Sequence, residues 1–165
     1  MKRIVVLVSL MLAAAVGTAA PAYADSRICR GALGAISVDG DVIVPSGATC
    51  TLRGTSVDGN VQVKSGATLK AIGAEIGGNV QAENHRAVSL VLSRVGGSVQ
   101  LKQGRTANVS RNRITGDLQS FENDGGQTFR RNRVNGNLQC KENRPAPTGG
   151  ANVVEGNKED QCGRL

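Results

Sequence analysis

Aromatic residues are nearly missing: among 165 residues there is no tryptophan, one tyrosine and two phenylalanines. Tyr23 lies in an N-terminal stretch expected to be removed, which leaves Phe121 and Phe129 as the only rings. A globular core of ordinary shape draws much of its buried area from such rings, so a core of that kind is excluded. The same scarcity disfavours proteins that stack nucleic-acid bases on side chains, and sugar binding by ring stacking. Histidine is also scarce, with His85 alone, and the four cysteines include no CxxC spacing. Zinc sites and nucleophile triads therefore find few of their usual components.

Long apolar runs are absent after the first two dozen residues. The run Ile4 to Val16 follows Lys2 and Arg3 and precedes Ala22-Tyr23-Ala24, a small-x-small cleavage pattern. This reads as a secretory signal over residues 1–24, too short and wrongly flanked for a membrane span. No lipobox-type cysteine follows it. Removal leaves 141 residues, enough for one domain, 25–165.

What the chain has in abundance is a repeat, and repeats decide folds. An apolar-x-Gly-polar-apolar pattern recurs as Val38-Asp39-Gly40-Asp41-Val42, Val57-Asp58-Gly59-Asn60-Val61, Ile76-Gly77-Gly78-Asn79-Val80 and Val95-Gly96-Gly97-Ser98-Val99. Ile114-Thr115-Gly116-Asp117-Leu118 and Val134-Asn135-Gly136-Asn137-Leu138 continue it, and Val154-Glu155-Gly156-Asn157 is a degenerate last copy. The glycine-to-glycine steps are 19, 19, 19, 19, 20 and 20. Seven positions before each glycine a further apolar column reads Leu33, Leu52, Ala71, Leu90, Val109 and Phe129.

β-Branched residues spaced by two suit strands with alternate side chains inward. A helix with this much glycine and valine is unfavourable. The period is too short for two helices and fits one coil of short strands joined by tight turns. The expectation is an all-β, single-chain parallel β-solenoid of about seven coils. At roughly 4.8 Å per coil it is a rod roughly 34 Å tall. The rule for parallel crossovers sets a right-handed coil. The turns are expected to draw on the tolerance of Gly and Asn for positive φ. Two polar files follow the glycine: Asp41, Asn60, Asn79, Ser98, Asp117, Asn137 and Asn157 one residue on, and Gln62, Gln81, Gln100, Gln119 and Gln139 three residues on. Stacked amides of this kind can hydrogen-bond from coil to coil.

The Gly-Asn-Val-Gln type of repeat resembles that of short bacterial β-solenoids, including the polymer-forming bactofilins. It is more similar to small secreted actinobacterial solenoid proteins ending in a form such as Gly136-Asn137-Leu138-Gln139-Cys140 … Gln161-Cys162. The resemblance covers about residues 33–162 and implies the solenoid fold. Bactofilins are cytosolic and lack disulfide caps, so their filament-forming role is not carried over.

Four cysteines in an exported chain suggest two disulfides with three possible connectivities. Cys29 and Cys50 stand 21 residues apart, and Cys140 and Cys162 stand 22 apart, each close to one coil. Residues one coil apart stack within the Cα range that a disulfide accepts. The pairs Cys29–Cys50 and Cys140–Cys162 are therefore expected, locking the first and last coils. With Pro145, Pro147 and the charged Lys158-Glu159-Asp160 at the C-terminal end, the molecule reads as a monomer.

Charge is uneven. Residues 86–144 hold eleven basic and four acidic residues, whereas 25–85 hold five basic and six acidic. On the repeat register Arg94, Arg113 and Arg133 form one column and Arg111 and Arg131 another, both expected outward on one strand face. This arginine stripe is the candidate binding site, suited to an anionic polymer such as teichoic acid or an acidic polysaccharide. Nucleic acid is the disfavoured anion. His85 is read in a polar turn, Glu83-Asn84-His85-Arg86, with no acid and serine gathered round it. Asp39, Asp41 and Asp58 offer oxygen atoms for calcium, but turn chemistry explains them equally. Thr55, Thr68, Thr106, Thr115 and Thr128 do not fall into one ice-binding ladder. No cofactor or metal is expected. The reading is a secreted, non-catalytic structural or binding protein, associated with the cell envelope or matrix. The alternative is a small lyase or hydrolase acting on polysaccharide.

Overall fold

The computed structural model describes residues 26–165; the segment expected as a signal lies outside the described residues. The described chain is all-β and winds as a parallel β-solenoid with three sheets of eight, seven and seven strands. Each coil contributes one strand to each sheet, as in Ala87–Val91, Arg94–Val95 and Val99–Lys102. Every neighbouring pair within a sheet is parallel and offset by one coil, for example Val80 against Val99 and Leu90 against Val109.

The repeat columns become vertical files. Val42, Val61, Val80, Val99, Leu118 and Leu138 stack through the first sheet and are all buried. Leu33, Leu52, Ala71, Leu90, Val109 and Phe129 stack through the second. Val38 to Val134 stack through the third, and all but the half-buried Val154 at its end are buried. Apolar side chains are thereby removed from water along one continuous axis.

The repeat glycines are not the residues that supply positive φ to the turns. None of Gly59, Gly78, Gly97, Gly116, Gly136 and Gly156 has positive φ. They are glycine because coils touch there: a Cβ on Gly78 would lie 2.6 Å from Asn60 Oδ1 and 2.8 Å from the Gly59 carbonyl oxygen. Left-handed conformation falls, as expected of the turns, on Gly47, Gly54, Gly66 and Gly73 in the early coils and on Asn84, and in the later coils also on other corner residues, in two files. One runs Gly54, Gly73, Leu92, Arg111, Arg131 and Ala151, and the other Asn84, Gln103, Glu122, Glu142 and Asp160.

The polar files bind the coils together. Asp41 Oδ1 accepts the Asn60 backbone N–H at 2.7 Å, Asn60 Oδ1 accepts that of Asn79 at 2.9 Å, and Asn79 Oδ1 that of Ser98 at 2.8 Å. Asp117 and Asn137 continue the pattern to Asn137 and Asn157. The Asp41 carboxyl is held below the usual carboxylate range, chiefly by that Asn60 backbone N–H and further by the Asn60 and Gln62 side chains, against a smaller opposing effect of burial.

The first of the two 20-residue coils takes its extra residue at Gly125-Gly126. Lys102 pairs with Phe121 nineteen residues on, whereas Ala107 pairs with Gln127 twenty residues on. Gln127 turns inward and donates to the Arg105 and Gly125 carbonyls at 2.6 and 3.0 Å, fastening the bulge. At the ends, disulfides join Cys29 to Cys50 and Cys140 to Cys162, with Cα separations of 5.5 and 5.2 Å. All four cysteines are buried in the core.

His85 departs from its expected place. Its side chain is buried rather than displayed in a polar turn, and a Cβ on Gly104, one coil on, would overlap the imidazole ring. The ring fills the space that the missing side chain leaves. Gly104→Ala should therefore cost about 1–3 kcal/mol by overpacking, read from the denaturant midpoint. Adding His85→Ala to it should recover part of that loss. Gly126→Ala, which meets open space, should move the midpoint by no more than about 0.5 kcal/mol.

Candidate functional site

Arg94, Arg113 and Arg133 open three successive strands of the third sheet and pair Cα to Cα in register. The next residues, Val95, Ile114 and Val134, are buried, so strand alternation turns the three guanidinium groups outward. Arg111 and Arg131 do not share that strand face. They stand at the corner before it, in left-handed conformation with φ of 57° and 55°. Corner and strand nevertheless converge: all five arginines line one shallow depression of about 330 Å³. Five cations are thus held on rigid backbone about 4.8 Å apart along each file.

The depression has defined ends. Glu75 precedes Arg94 in the outward strand file and Val153 follows Arg133. Leu92, an exposed apolar side chain, lines the same depression. Arg133 Nη2 is paired with Glu155 Oε1 at 2.6 Å, an exposed ion pair. Among the described residues the other four arginines make no ion pair.

Beneath the arginines lies an inward file that sequence reasoning did not recognise. Asn112, Asn132 and Asn152 form a buried amide ladder. Asn132 Oδ1 accepts the Asn112 backbone and side-chain N–H groups at 3.1 and 3.0 Å, and Asn132 Nδ2 donates to the Val109 carbonyl at 2.8 Å. Asn152 repeats this towards Asn132 and Phe129. Each amide satisfies backbone groups that the tight corner would otherwise bury unpaired. That fixes the corner at which Arg111 and Arg131 project. The recurrence of Asn at 112, 132 and 152 carried the signal.

A second such ladder, Asn123, Asn143 and Gln161, supports the opposite corner. His85 occupies the same file, but neither of its ring nitrogens has a hydrogen-bond partner. Burial pushes its pKa down, and the Ala82 carbonyl offsets this in part without a hydrogen bond of good geometry.

Among the described residues no group of three or more His, Cys, Asp or Glu side chains is arranged to hold a metal ion, the Asp39, Asp41 and Asp58 group included. The threonines are more ordered than expected. Thr68 and Thr106 share an outward file with Thr49, interrupted by Ala87, while Thr55 is buried. Comparison of the chain with protein-family models, curated proteins and solved structures finds no match.

Two outcomes follow from these inward files. Asn132→Ala should lower stability by about 1–3 kcal/mol for each backbone group it leaves unpaired, measured by chemical denaturation. For His85 the folded value lies below the ordinary 6.5, so just below that pH the unfolded chain binds more protons than the folded one. Stability should fall as pH is lowered from 6.5, and His85→Ala should remove that slope while lowering stability throughout.

Proposed function

We propose that this is a secreted, monomeric, non-catalytic binding protein that attaches to an anionic polymer of the cell envelope or matrix. The observation carrying the reading is the alignment of Arg94, Arg111, Arg113 and Arg131 on a rigid rail without acidic partners. Like charges about 4 Å apart repel by about 1 kcal/mol even in bulk water. Stacking them is unfavourable for the free protein, and a polymer with closely spaced anionic groups relieves that cost at several points together.

Teichoic acid and acidic polysaccharides carry such groups outside the cell. Nucleic acid is disfavoured because the depression has no ring for a base to stack on. Two disulfides suit an oxidising compartment, and no helix among the described residues is long and apolar enough to cross a membrane. The repeat's resemblance to secreted actinobacterial solenoids supports the same location. A β-helix lyase or hydrolase is the lesser reading, because the acids that such chemistry needs are not gathered about a cleft.

Replacing all five arginines by serine should leave the melting temperature no lower than the parent's, since it removes the like-charge repulsion, and abolish salt-sensitive retention on isolated cell wall or a heparin support. Arg133→Ser alone should lower the eluting salt concentration less than Arg113→Ser, because Glu155 already occupies Arg133. Retention of the five-fold variant equal to that of the parent would remove the stripe from consideration.

A further inference from the structure

The outer face of the first sheet carries a second concavity, a groove of about 700 Å³ that shares no residue with the arginine depression. Its floor is the glutamine file Gln62, Gln81, Gln100 and Gln119. Gln81, Gln100 and Gln119 each donate one amide N–H to the next coil, at 3.4, 3.2 and 2.8 Å, the last reaching Gln139. A primary amide has two donor hydrogens and two acceptor lone pairs. The ladder uses one of each in Gln100 and Gln119, so one donor and one acceptor per coil remain for a ligand. They recur about every 4.8 Å along the rod, close to the length of one pyranose residue in an extended chain.

The rest of the groove narrows the class of ligand. Glu83 pairs in register with Lys102 on the wall, so charges alternate. Lys64 donates to Gln62 Oε1 at 2.8 Å. A polyanion needs donors and positive charge, whereas hydroxyl groups need a donor and an acceptor together, which is what each amide presents. An extended peptide is disfavoured because the strands cross the floor with both edges already hydrogen-bonded, leaving no edge for β-augmentation. At one end the half-buried Phe121 offers the only ring in the groove, a flat apolar body for one sugar face.

We propose that this groove binds a neutral linear polysaccharide lying along the solenoid axis, with one amide serving the hydroxyl groups of about one sugar residue per coil. The site is independent of the arginine stripe.

Native gel electrophoresis through hydroxyethylcellulose, galactomannan or arabinoxylan tests it, with polygalacturonate as the anionic comparison. At least one neutral polymer should retard the protein, with little effect of added salt. Gln100→Met/Gln119→Met, which keeps side-chain length, should weaken that retardation by about tenfold. The five-fold arginine variant should be retarded like the parent. If the double variant melts differently, Gln81→Ala replaces it, since the Gln81 ladder bond is the longest. Absence of retardation in all three neutral gels would overturn the proposal. So would equal retardation of the glutamine variants, or retardation confined to polygalacturonate and abolished by the arginine changes.

Discussion

Backbone hydrogen bonding between consecutive coils is the constraint on which the rest of the molecule depends. Once residue n pairs with residue n+19 or n+20, each side chain has its counterpart in the next coil as its nearest neighbour. Sequence repetition then becomes chemical repetition along an axis. A valine file is a core, an amide file is a ladder and an arginine file is a row of charges. The one-residue bulge at Gly125-Gly126 lengthens its coil without disrupting the core files, because Gln127 takes up the freed carbonyls.

Stacking has opposite consequences for different groups. Asparagine gains from it: the buried ladder of Asn112, Asn132 and Asn152 satisfies its own amides and the corner backbone together. Buried polar groups are tolerable when every member is paired. Histidine gains nothing of the kind, and His85 sits in such a file with both nitrogens unpartnered. Its fit is one of shape, a ring over a glycine, and the lost hydrogen bonds make it a titratable weak point. Arginine is disfavoured by stacking in the free protein, since each guanidinium meets others of the same sign. The corners that asparagine stabilises are those that hold Arg111 and Arg131 outward, so the buried ladder and the surface charges belong to one device.

The faces of the rod divide by chemistry. The third sheet and its leading corner present cations over the later coils, while the first sheet presents neutral amides in a groove with alternating wall charges. Both are rigid, because backbone paired on two sides and disulfides at both ends leave little freedom to rearrange. Such surfaces suit extended, repetitive partners better than small molecules, which need an enclosed pocket.

By itself the sequence determined the solenoid, its period, the apolar files and which residues stack, because a regular repeat on a parallel coil leaves one consistent register. The arginine columns and the spacing that joins the cysteines followed from the same count. Only the tertiary structure decided which way the corners point. Arg111 and Arg131 proved to be left-handed corner residues, and the repeat glycines proved to answer to contact with the coil before rather than to positive φ. It also decided what lies inside. His85, amid Glu83, Asn84 and Arg86, reads as polar surface, yet the absence of a side chain at Gly104, nineteen residues away, draws it into the core. Local composition does not contain that fact, because the space a residue occupies here is defined by its neighbours one coil away.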